Sequence, residues 1–285
     1  MKKILIQLDT DSDPSTFDRV VAVDSGVDHL FSYGDVTPEN VTGLIHGAIF
    51  TRGPADLNNT AIFVGGSNVA AGEALLKQVE KTFFGPMRVS VLMDSNGCNT
   101  TAAAAVLAAG KHLDLTEISA LILGGTGPVG HRAAQILTGL GATVRIGSRS
   151  IERAEQTCAA VRATNPDAKV SACETSTPES VATACDDIDL LLATGAAGIE
   201  LVNEETWQGI DTLKVAIDLN AVPPAGIAGI EVFDKAVERA NIYCYGAVGV
   251  GGTKMKIHKA AIARLYERND FVLDTASIFD IGQNL

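Results

Sequence analysis

Three glycines at the spacing G-x-G-x-x-G, namely Gly125, Gly127 and Gly130, carry the most direct chemical implication in this sequence. They follow the apolar run ISALIL and precede a stretch with helical periodicity, so they occupy a strand-to-helix turn. In such a turn the first glycine permits the tight bend, the second lets backbone approach a pyrophosphate, and the third lets the helix pack on the strand. Pro128 suits the first helical turn, where its missing N–H costs no helical hydrogen bond. The pattern predicts a dinucleotide site, with a purely structural glycine turn as the alternative.

The end of the next predicted strand indicates which dinucleotide is bound. Ser148 lies 23 residues after Gly125, where NAD-binding folds usually carry an acid for the ribose 2′-hydroxyl. Ser148, Arg149 and Arg153 instead offer a hydroxyl and two guanidiniums, which suit a 2′-phosphate. The sequence therefore favours NADP over NAD. The alternative is that both arginines are solvated surface charges.

Two loops that follow later strands are expected to complete the cofactor site. They are residues 193–198 (ATGAAG), with Gly195 and Ala196, and residues 218–229 (DLNAVPPAGIAG), with Asn220. The first is expected near the nicotinamide half of the cofactor. Their glycine and proline content is equally compatible with ordinary turns.

Polar side chains also follow two predicted strands of the first half, at 9–18 and 93–101. Ligands of parallel α/β layers bind outside the carboxyl ends of the strands. The candidates for lining a cleft there are Asp94, Ser95, Asn99 and Thr100. The alternative is that Asp94 or Ser95 caps the helix that follows.

Three basic side chains, Lys254, Lys256 and His258, are predicted on the other wall of this cleft, where the second half of the chain leads into a last helix. Asp94, Lys254 and His258 are the catalytic candidates. His258 also fits a hydrogen-bonded residue within that helix.

The elements that position these residues alternate between strand and helix. In the first half a helix over 67–83 lies among strands predicted at 2–8, 29–34, 60–66 and 88–94. In the second half, strands are predicted at 118–125, 142–147, 168–173, 188–195, 214–220 and 242–249. The helices that separate the first four of these strands are predicted at 128–140, 150–164 and 178–185. This alternation is typical of parallel α/β layers and, in the second half, of a doubly wound Rossmann-type sheet.

The predicted fold class is therefore α/β with two domains. An Ala-rich helix over 99–113 links them. A C-terminal helix returns to the first domain, with an apolar face formed by Ile257, Ala261, Ile262 and Leu265. The predicted boundaries are 1–105 with 258–285 for a substrate domain, and 106–257 for a Rossmann-type NADP domain.

Composition restricts the partners. The 285 residues include 22 Lys and Arg against 34 Asp and Glu, a formal charge of −12 that would repel nucleic acids and anionic membranes. Apolar runs are shorter than the roughly 18 residues that span a bilayer, and no signal peptide is recognisable, so we expect a cytoplasmic protein. The five cysteines, without a C-x-x-C pair, predict reduced thiols and no metal site.

Several motifs together resemble one enzyme family nearly end to end. They are LDTDSDP, AIFVGG, FFGP, DSNGCNTTAAA, GGTGPVG, the SR pair at 148–149, DLNAVPPAGIAGI and GVGGTKMKIH. In this order they are similar to the bacterial methylene-tetrahydromethanopterin dehydrogenases of one-carbon metabolism. The resemblance implies NADP-dependent removal of hydride from the bridging methylene group, giving the methenyl cation, with methylene-tetrahydrofolate accepted by some members. It also implies a homo-oligomer, such as a trimer.

The resemblance implies roles for individual residues. Those that would hold NADP are Thr126, Gly127, Pro128, Val129, Arg149 and Arg153. Those that would surround the pterin and the nicotinamide are Phe17, Asp94, Ser95, Asn99, Lys254 and His258. Asp94 could accept hydrogen bonds from the amino-pyrimidinone edge of the pterin. Lys254 fits a polar contact with substrate or cofactor, or the orientation of Asp94, because a cation would oppose the developing methenyl cation.

Other functions remain as alternatives at this point. Bifunctional folate dehydrogenase/cyclohydrolases carry a Tyr-x-x-x-Lys pair, whereas Tyr33 is followed four residues later by Thr37, which makes cyclohydrolase activity doubtful. A folate-specific or shikimate-type dehydrogenase has the same layout. A protein that binds NADP as a signal and catalyses nothing is the non-enzyme alternative.

Overall fold

The computed structural model describes all 285 residues, which divide into two compact units. The first unit comprises residues 1–100 and 255–285, and the second unit comprises residues 101–254. The sequence-based boundaries, after residues 105 and 257, differ from this division by a few residues. That the first unit binds substrate and the second binds cofactor stays a prediction.

Nine of the ten predicted strands are shorter than the sequence predicts, mostly by one to three residues, and the strand predicted at 142–147 is shifted by one residue at equal length. The structure has twelve strands. They are β1 (Ile4–Asp9), β2 (His29–Tyr33), β3 (Thr60–Gly65), β4 (Ser90–Met93), β5 (Ser119–Leu123), β6 (Thr143–Ser148), β7 (Val170–Glu174), β8 (Leu190–Ala193), β9 (Val215–Asp218), β10 (Lys235–Arg239), β11 (Ile242–Tyr245) and β12 (Val272–Leu273).

Helices connect most of these strands. They are α1 (Thr16–Asp24), α2 (Thr42–Phe50), α3 (Val69–Thr82), α4 (Cys98–Ala109), α5 (Pro128–Leu140), α6 (Ile151–Thr164), α7 (Pro178–Ala184), α8 (Glu204–Gln208), α9 (Ala247–Arg264) and α10 (Thr275–Gln283), with short 3₁₀ turns at Pro54–Asn59 and Ser95–Gly97. None of them is both long enough and apolar enough to cross a membrane.

The sheet of the first unit has five parallel strands in the order β12-β4-β3-β1-β2. Its central strands β3 and β4 are buried throughout, which explains their continuous apolar sequences. At one edge, β2 alternates between exposed and partly buried residues. At the other edge, β12 has only two residues, too few for a hydrophobic pattern to reveal.

The sheet of the second unit has seven strands in the order β10-β11-β9-β8-β5-β6-β7. From β5 the chain builds outward through β6 and β7, then returns to build through β8, β9 and β11 on the other side, all in parallel. This is the doubly wound Rossmann order, so the predicted fold class is confirmed. One strand of this sheet, β10, was not predicted; it pairs antiparallel with β11 and has a largely charged sequence, KAVER.

The prediction that a strand occupies 242–249 is wrong at its end, because β11 stops at Tyr245 and α9 begins at Ala247. The glycines of this stretch serve close packing. A Cβ on Gly246 would collide with the carbonyl of Glu231, and a Cβ on Gly249 with the carbonyl of Asp234. Lys254, Lys256 and His258 consequently lie within α9, and α9 is not the last helix.

The two units are linked through helices. The division after residue 100 falls within α4, where residues 102–105 are buried alanines. The division after residue 254 falls within α9. The apolar face predicted for this part of the chain is present, since the side chains that form it are all buried: Ile257, Ala261, Ile262 and Leu265.

A histidine packs on two tyrosines of β11 in the second unit. The His112 ring stacks on Tyr243 with 3.9 Å between ring centroids, and its Nε2 lies 2.7 Å from the hydroxyl of Tyr245. Burial, with a smaller contribution from the charge of Lys111, lowers the pKa of His112 below its ordinary value of 6.5. Protonation therefore disfavours the folded state.

This cluster predicts a pH dependence of stability. The pKa of His112 is lower in the folded state than in the unfolded state. Its contribution to the free energy of unfolding is therefore complete above the unfolded-state pKa, and it is lost as the pH falls through the folded-state pKa. We expect Tm to fall less in His112→Phe than in the unsubstituted protein between about pH 7.5 and about pH 5.5. Thermal unfolding followed by circular dichroism measures both slopes, and parallel slopes would exclude this contribution.

Candidate functional site

A cavity of about 610 Å³ opens at the carboxyl ends of β5, β6, β7 and β8 in the second unit. Its volume lies within the range of small-molecule sites. The predicted cofactor residues that line it are Thr126, Gly127, Ser148, Arg149, Arg153, Gly195 and Ala196. The predicted cofactor residues that do not line it are Gly125, Pro128, Val129, Gly130 and Asn220.

The turn between β5 and α5 forms one wall of the cavity. Its positive φ, +66°, belongs to Gly124 and not to Gly125, to which the sequence analysis assigned the tight bend. A Cβ on Gly124 would lie 2.5 Å from the Cα of Gly195 in the loop after β8. The bend therefore requires glycine one residue earlier than expected. The sequence signal for this bend was the pair Gly124-Gly125, because the G-x-G-x-x-G motif includes only the second of these two glycines.

The other glycines of the turn allow close packing of α5. A Cβ on Gly130 would lie 2.6 Å from both the Cα of Gly125 and the Oγ1 of Thr194. Gly127 directly precedes α5 and lines the cavity. A Cβ built on Gly127 would have no atom within 3.4 Å, so the space beside this residue is open. Because the first-turn N–H groups of a helix lack intrahelical partners, the start of α5 can accept an anion here.

The end of β6 forms a second wall and separates Ser148 from the two arginines. Ser148 is buried, and its Oγ accepts a hydrogen bond from the backbone N–H of Ser150 at 3.2 Å. Ser150 in turn caps α6 by accepting from the N–H of Arg153. Arg149 and Arg153 are exposed and line the cavity, as does the exposed carboxylate Glu200, so its charged lining residues are two cations and one anion.

Residues that carry no motif complete the cavity. The loop after β7 contributes hydroxyl side chains, and the segment leading into α8 contributes apolar and polar ones. Trp207 of α8 is fully buried and donates from Nε1 to the carbonyl of Ala228 at 2.9 Å, which anchors this segment. The lining residues that sequence reasoning missed include Gly124, Ser150, Thr175, Ser176, Thr177, Thr194, Leu201, Asn203 and Thr206.

The loop after β9 is organised around a buried carboxylate. Asp218 accepts hydrogen bonds from the N–H groups of Asn220 at 2.9 Å and Ile227 at 3.1 Å. Burial raises the pKa of Asp218, and these backbone hydrogen bonds oppose the rise. The Asn220 side chain donates to the carbonyl of Pro224 and accepts from the N–H of Val222. In this structure Asn220 therefore shapes its own loop.

In the first unit, Asp94 caps a helix, as one of the two sequence-based interpretations held. Its Oδ1 accepts from the N–H groups of Asn99 at 2.9 Å and Thr100 at 3.1 Å, and its Oδ2 accepts from the Thr100 hydroxyl at 2.6 Å. The residue is 1% exposed. The start of α4 is thus fixed by this carboxylate, and a pterin contact for Asp94 stays a prediction.

Ser95 and Asn99 are buried beside Asp94. The hydroxyl of Ser95 donates to the carbonyl of Gly65 at 3.1 Å. The Asn99 amide donates to the carbonyl of Met93 at 2.8 Å and accepts from the hydroxyl of Thr275 at 2.7 Å. These side chains therefore join the end of β4 to β3 and to the start of α10, and a substrate contact for them stays a prediction.

Two further candidates, His258 and Phe17, form an aromatic cluster with Phe63. His258 is 1% exposed, stacks on the buried ring of Phe63 with centroids 5.7 Å apart, and lies 6.3 Å from the ring of Phe17. Phe17 itself is 49% exposed. Lys254 precedes His258 by one helical turn and therefore lies on the same side of α9, whereas Lys256 is exposed on another.

Comparison with known proteins agrees with these features. A family model described as "Methylene-tetrahydromethanopterin dehydrogenase, N-terminal" matches residues 16–96, and one described as "Alanine dehydrogenase/PNT, C-terminal domain" matches residues 90–270. A curated protein of Methylorubrum extorquens, "Bifunctional protein MdtA", is 43% identical over 288 residues, covering 100% of this chain and 99% of that protein. The chain belongs to the methylene-tetrahydromethanopterin dehydrogenase family. The resemblance stated from the sequence is confirmed.

Two other proteins place the family in a wider context. A second curated protein of Methylorubrum extorquens, "NAD(P)-dependent methylenetetrahydromethanopterin dehydrogenase", is 32% identical, covering 90% of this chain and 89% of that protein. The solved structure of shikimate 5-dehydrogenase from Listeria monocytogenes in complex with shikimate and NAD has a TM-score of 0.53 and 13% identity, covering 98% of this chain and 96% of that one. At this identity the likeness shows a shared fold alone.

The hydrogen bonds of Asp94 predict a stability role. We expect Asp94→Ala to lower the free energy of unfolding by about 1–3 kcal/mol, because it removes a helix cap and leaves buried donors without an acceptor. Urea unfolding measures the change. Asp13→Ala, at an exposed position of the first unit, is the matched control and should change stability by less than about 0.5 kcal/mol. Equal effects of the two substitutions would exclude the cap.

Proposed function

We propose that this protein is an NADP-dependent dehydrogenase that transfers hydride from the methylene group of methylene-tetrahydromethanopterin to NADP, giving the methenyl form. The observation that carries the proposal is the cavity of the second unit, whose lining combines a glycine turn at a helix N-terminus with two arginines. The names of the Methylorubrum relatives support the substrate. Methylene-tetrahydrofolate is proposed as a second substrate.

The residues present fit NADP. The absence of a side chain at Gly127 leaves room for backbone to approach a pyrophosphate, and the first turn of α5 supplies unpaired N–H groups. The missing side chain at Gly124 allows the turn to lie against Gly195. Arg149 and Arg153 would hold the 2′-phosphate, while Gly195 and Ala196 line the same cavity after β8. NADP, when bound, supplies the hydride acceptor.

The protein's own contribution to such a reaction is positioning. Hydride leaves carbon as a unit, and two flanking nitrogens stabilise the product cation, so the step needs no general base. Holding donor and acceptor carbons about 3–3.5 Å apart can supply roughly 7–11 kcal/mol. Asp94 fits this scheme as a residue that fixes α4, since its oxygens already accept three hydrogen bonds.

On the substrate side, Phe17 is the candidate best placed to contact a pterin, because its ring is half exposed and is supported by His258. Aromatic rings favour stacking on flat heterocycles of this kind. We propose that Ser95, Asn99 and Thr100 contribute by fixing the local backbone. Lys254 is proposed to contact a polar atom of substrate or cofactor.

The proposal extends to the assembly and location of the enzyme. As the family resemblance implies, we propose a cytoplasmic homo-oligomer, such as a trimer, whose ligands are NADP and a pterin and not nucleic acid.

An activity assay with three substrates tests the proposed function. We expect reduction of NADP with methylene-tetrahydromethanopterin, slower or equal reduction with methylene-tetrahydrofolate, and none with shikimate, measured as NADPH absorbance. Activity with shikimate alone, or with the folate alone, would replace the proposal with one of those dehydrogenases. Tight NADP binding without turnover of either methylene-pterin would favour the signalling alternative.

Arg149→Ala tests the cofactor preference. Loss of a charge-assisted pair with a phosphate is expected to raise KM for NADP about 10- to 100-fold and to change KM for NAD by less than about threefold. Arg268→Ala, which removes an exposed arginine paired with Asp270, is the control and should leave both values unchanged. Equal losses for NAD and NADP in Arg149→Ala would show that the 2′-phosphate is bound elsewhere.

A further inference from the structure

Thr194, the residue that follows β8, makes a set of contacts that no sequence motif reveals. Its N–H donates to the carbonyl of Leu123 at 2.9 Å, as expected for the end of a parallel ladder. Its side-chain Oγ1 lies 3.1 Å from that same carbonyl and 3.2 Å from the carbonyl of Gly124. One hydroxyl donor is therefore shared between the last residue of β5 and the first residue of the glycine turn.

The peptide group between Gly124 and Gly125 is consequently held from both sides. Its carbonyl accepts from Thr194 Oγ1 and from the N–H of Gly127 at 3.1 Å. Its N–H donates to the carbonyl of Gly147 in β6 at 3.0 Å. The carbonyl and the N–H of a planar trans peptide point in opposite directions. Because both groups are hydrogen-bonded here, the orientation of the bend is fixed.

Thr194 also limits how closely α5 approaches. A Cβ on Gly130 would lie 2.6 Å from Thr194 Oγ1, so the hydroxyl fills the space beside the first turn of this helix. The same residue thus contacts the bend and the helix start, which together form the proposed pyrophosphate site. Thr194 itself lines the cavity.

We propose that Thr194 is a positioning residue for the dinucleotide, which holds the glycine turn in the conformation that receives the pyrophosphate. The ligand class rests on the proposed function. Because pyrophosphate is common to NAD and NADP, the effect of Thr194 is independent of the 2′-phosphate. This separates its role from that of Arg149.

Removal of the hydroxyl at nearly constant shape tests the proposal. Thr194→Val is expected to raise the dissociation constants of NADPH and NADH by the same factor, about five- to tenfold, as measured by cofactor fluorescence. Thr194→Ser, which keeps the donor, should bind within about twofold of the unsubstituted protein. KM for the methylene-pterin should be unchanged. If Thr194→Val does not fold, Thr194→Ala removes the same donor in a smaller side chain.

Thr138→Val is the matched control. Thr138 is a buried threonine of α5, the helix that follows the glycine turn. Its hydroxyl donates to the carbonyl of Ala134 at 2.8 Å, away from that turn. Its substitution should leave both dissociation constants within about twofold. Cofactor binding by Thr194→Val equal to that of the unsubstituted protein, or equal losses in Thr194→Ser and Thr194→Val, would overturn the proposal. The dissociation constants are measured without a pterin, so failure of the proposed enzymatic activity would be seen separately, in the substrate assay.

Discussion

The second unit depends on a close approach of two backbone segments, the glycine turn after β5 and the loop after β8. Gly124 lies against Gly195, and Gly130 lies against Gly125 and Thr194, at separations that leave no room for a Cβ. A side chain at these positions would force the segments apart. The start of α5 would then move away from the ends of β5 and β8, and the cavity would lose the wall that the glycine turn forms.

Much of the fold follows from local sequence signals. The sequence predicted α5 over 128–140, the bounds that the structure shows, with Pro128 in its first turn. In the structure the helix ends at Gly141, whose φ is +108°. The elements that were missed depend on distant partners. β10 has a charged sequence and is defined by pairing with β11, and the beginning of α9 is decided by carbonyls at residues 231–234 that approach its glycines. Neither contact leaves a periodic pattern in the sequence.

The site was predictable where residue type alone specifies chemistry, and not elsewhere. Arg149 and Gly127, which line the cavity, were predicted because a cation after the second strand and a glycine before a helix each suit a phosphate group. Thr194 lies in the loop 193–198 that was predicted near the cofactor, but it was not singled out, because a threonine after a strand has no distinctive pattern. Only the structure shows its hydrogen bonds to Leu123 and Gly124. For Asp94 the residue type fits two roles equally, ligand contact and helix cap, and only the hydrogen-bond geometry shows the cap.

Buried aspartates at the carboxyl ends of strands share one structural task. Asp9 ends β1 and accepts from the N–H groups of Asp11 and Ser15, Asp94 follows β4 and binds the start of α4, and Asp218 ends β9 and binds Asn220 and Ile227. All three are at most 2% exposed. Carboxylates at this edge of a sheet would be natural general bases if they were open to a ligand. Here their oxygens hold the loops that follow, an arrangement compatible with a hydride transfer, in which no proton has to be removed and the positions of the reactants matter most.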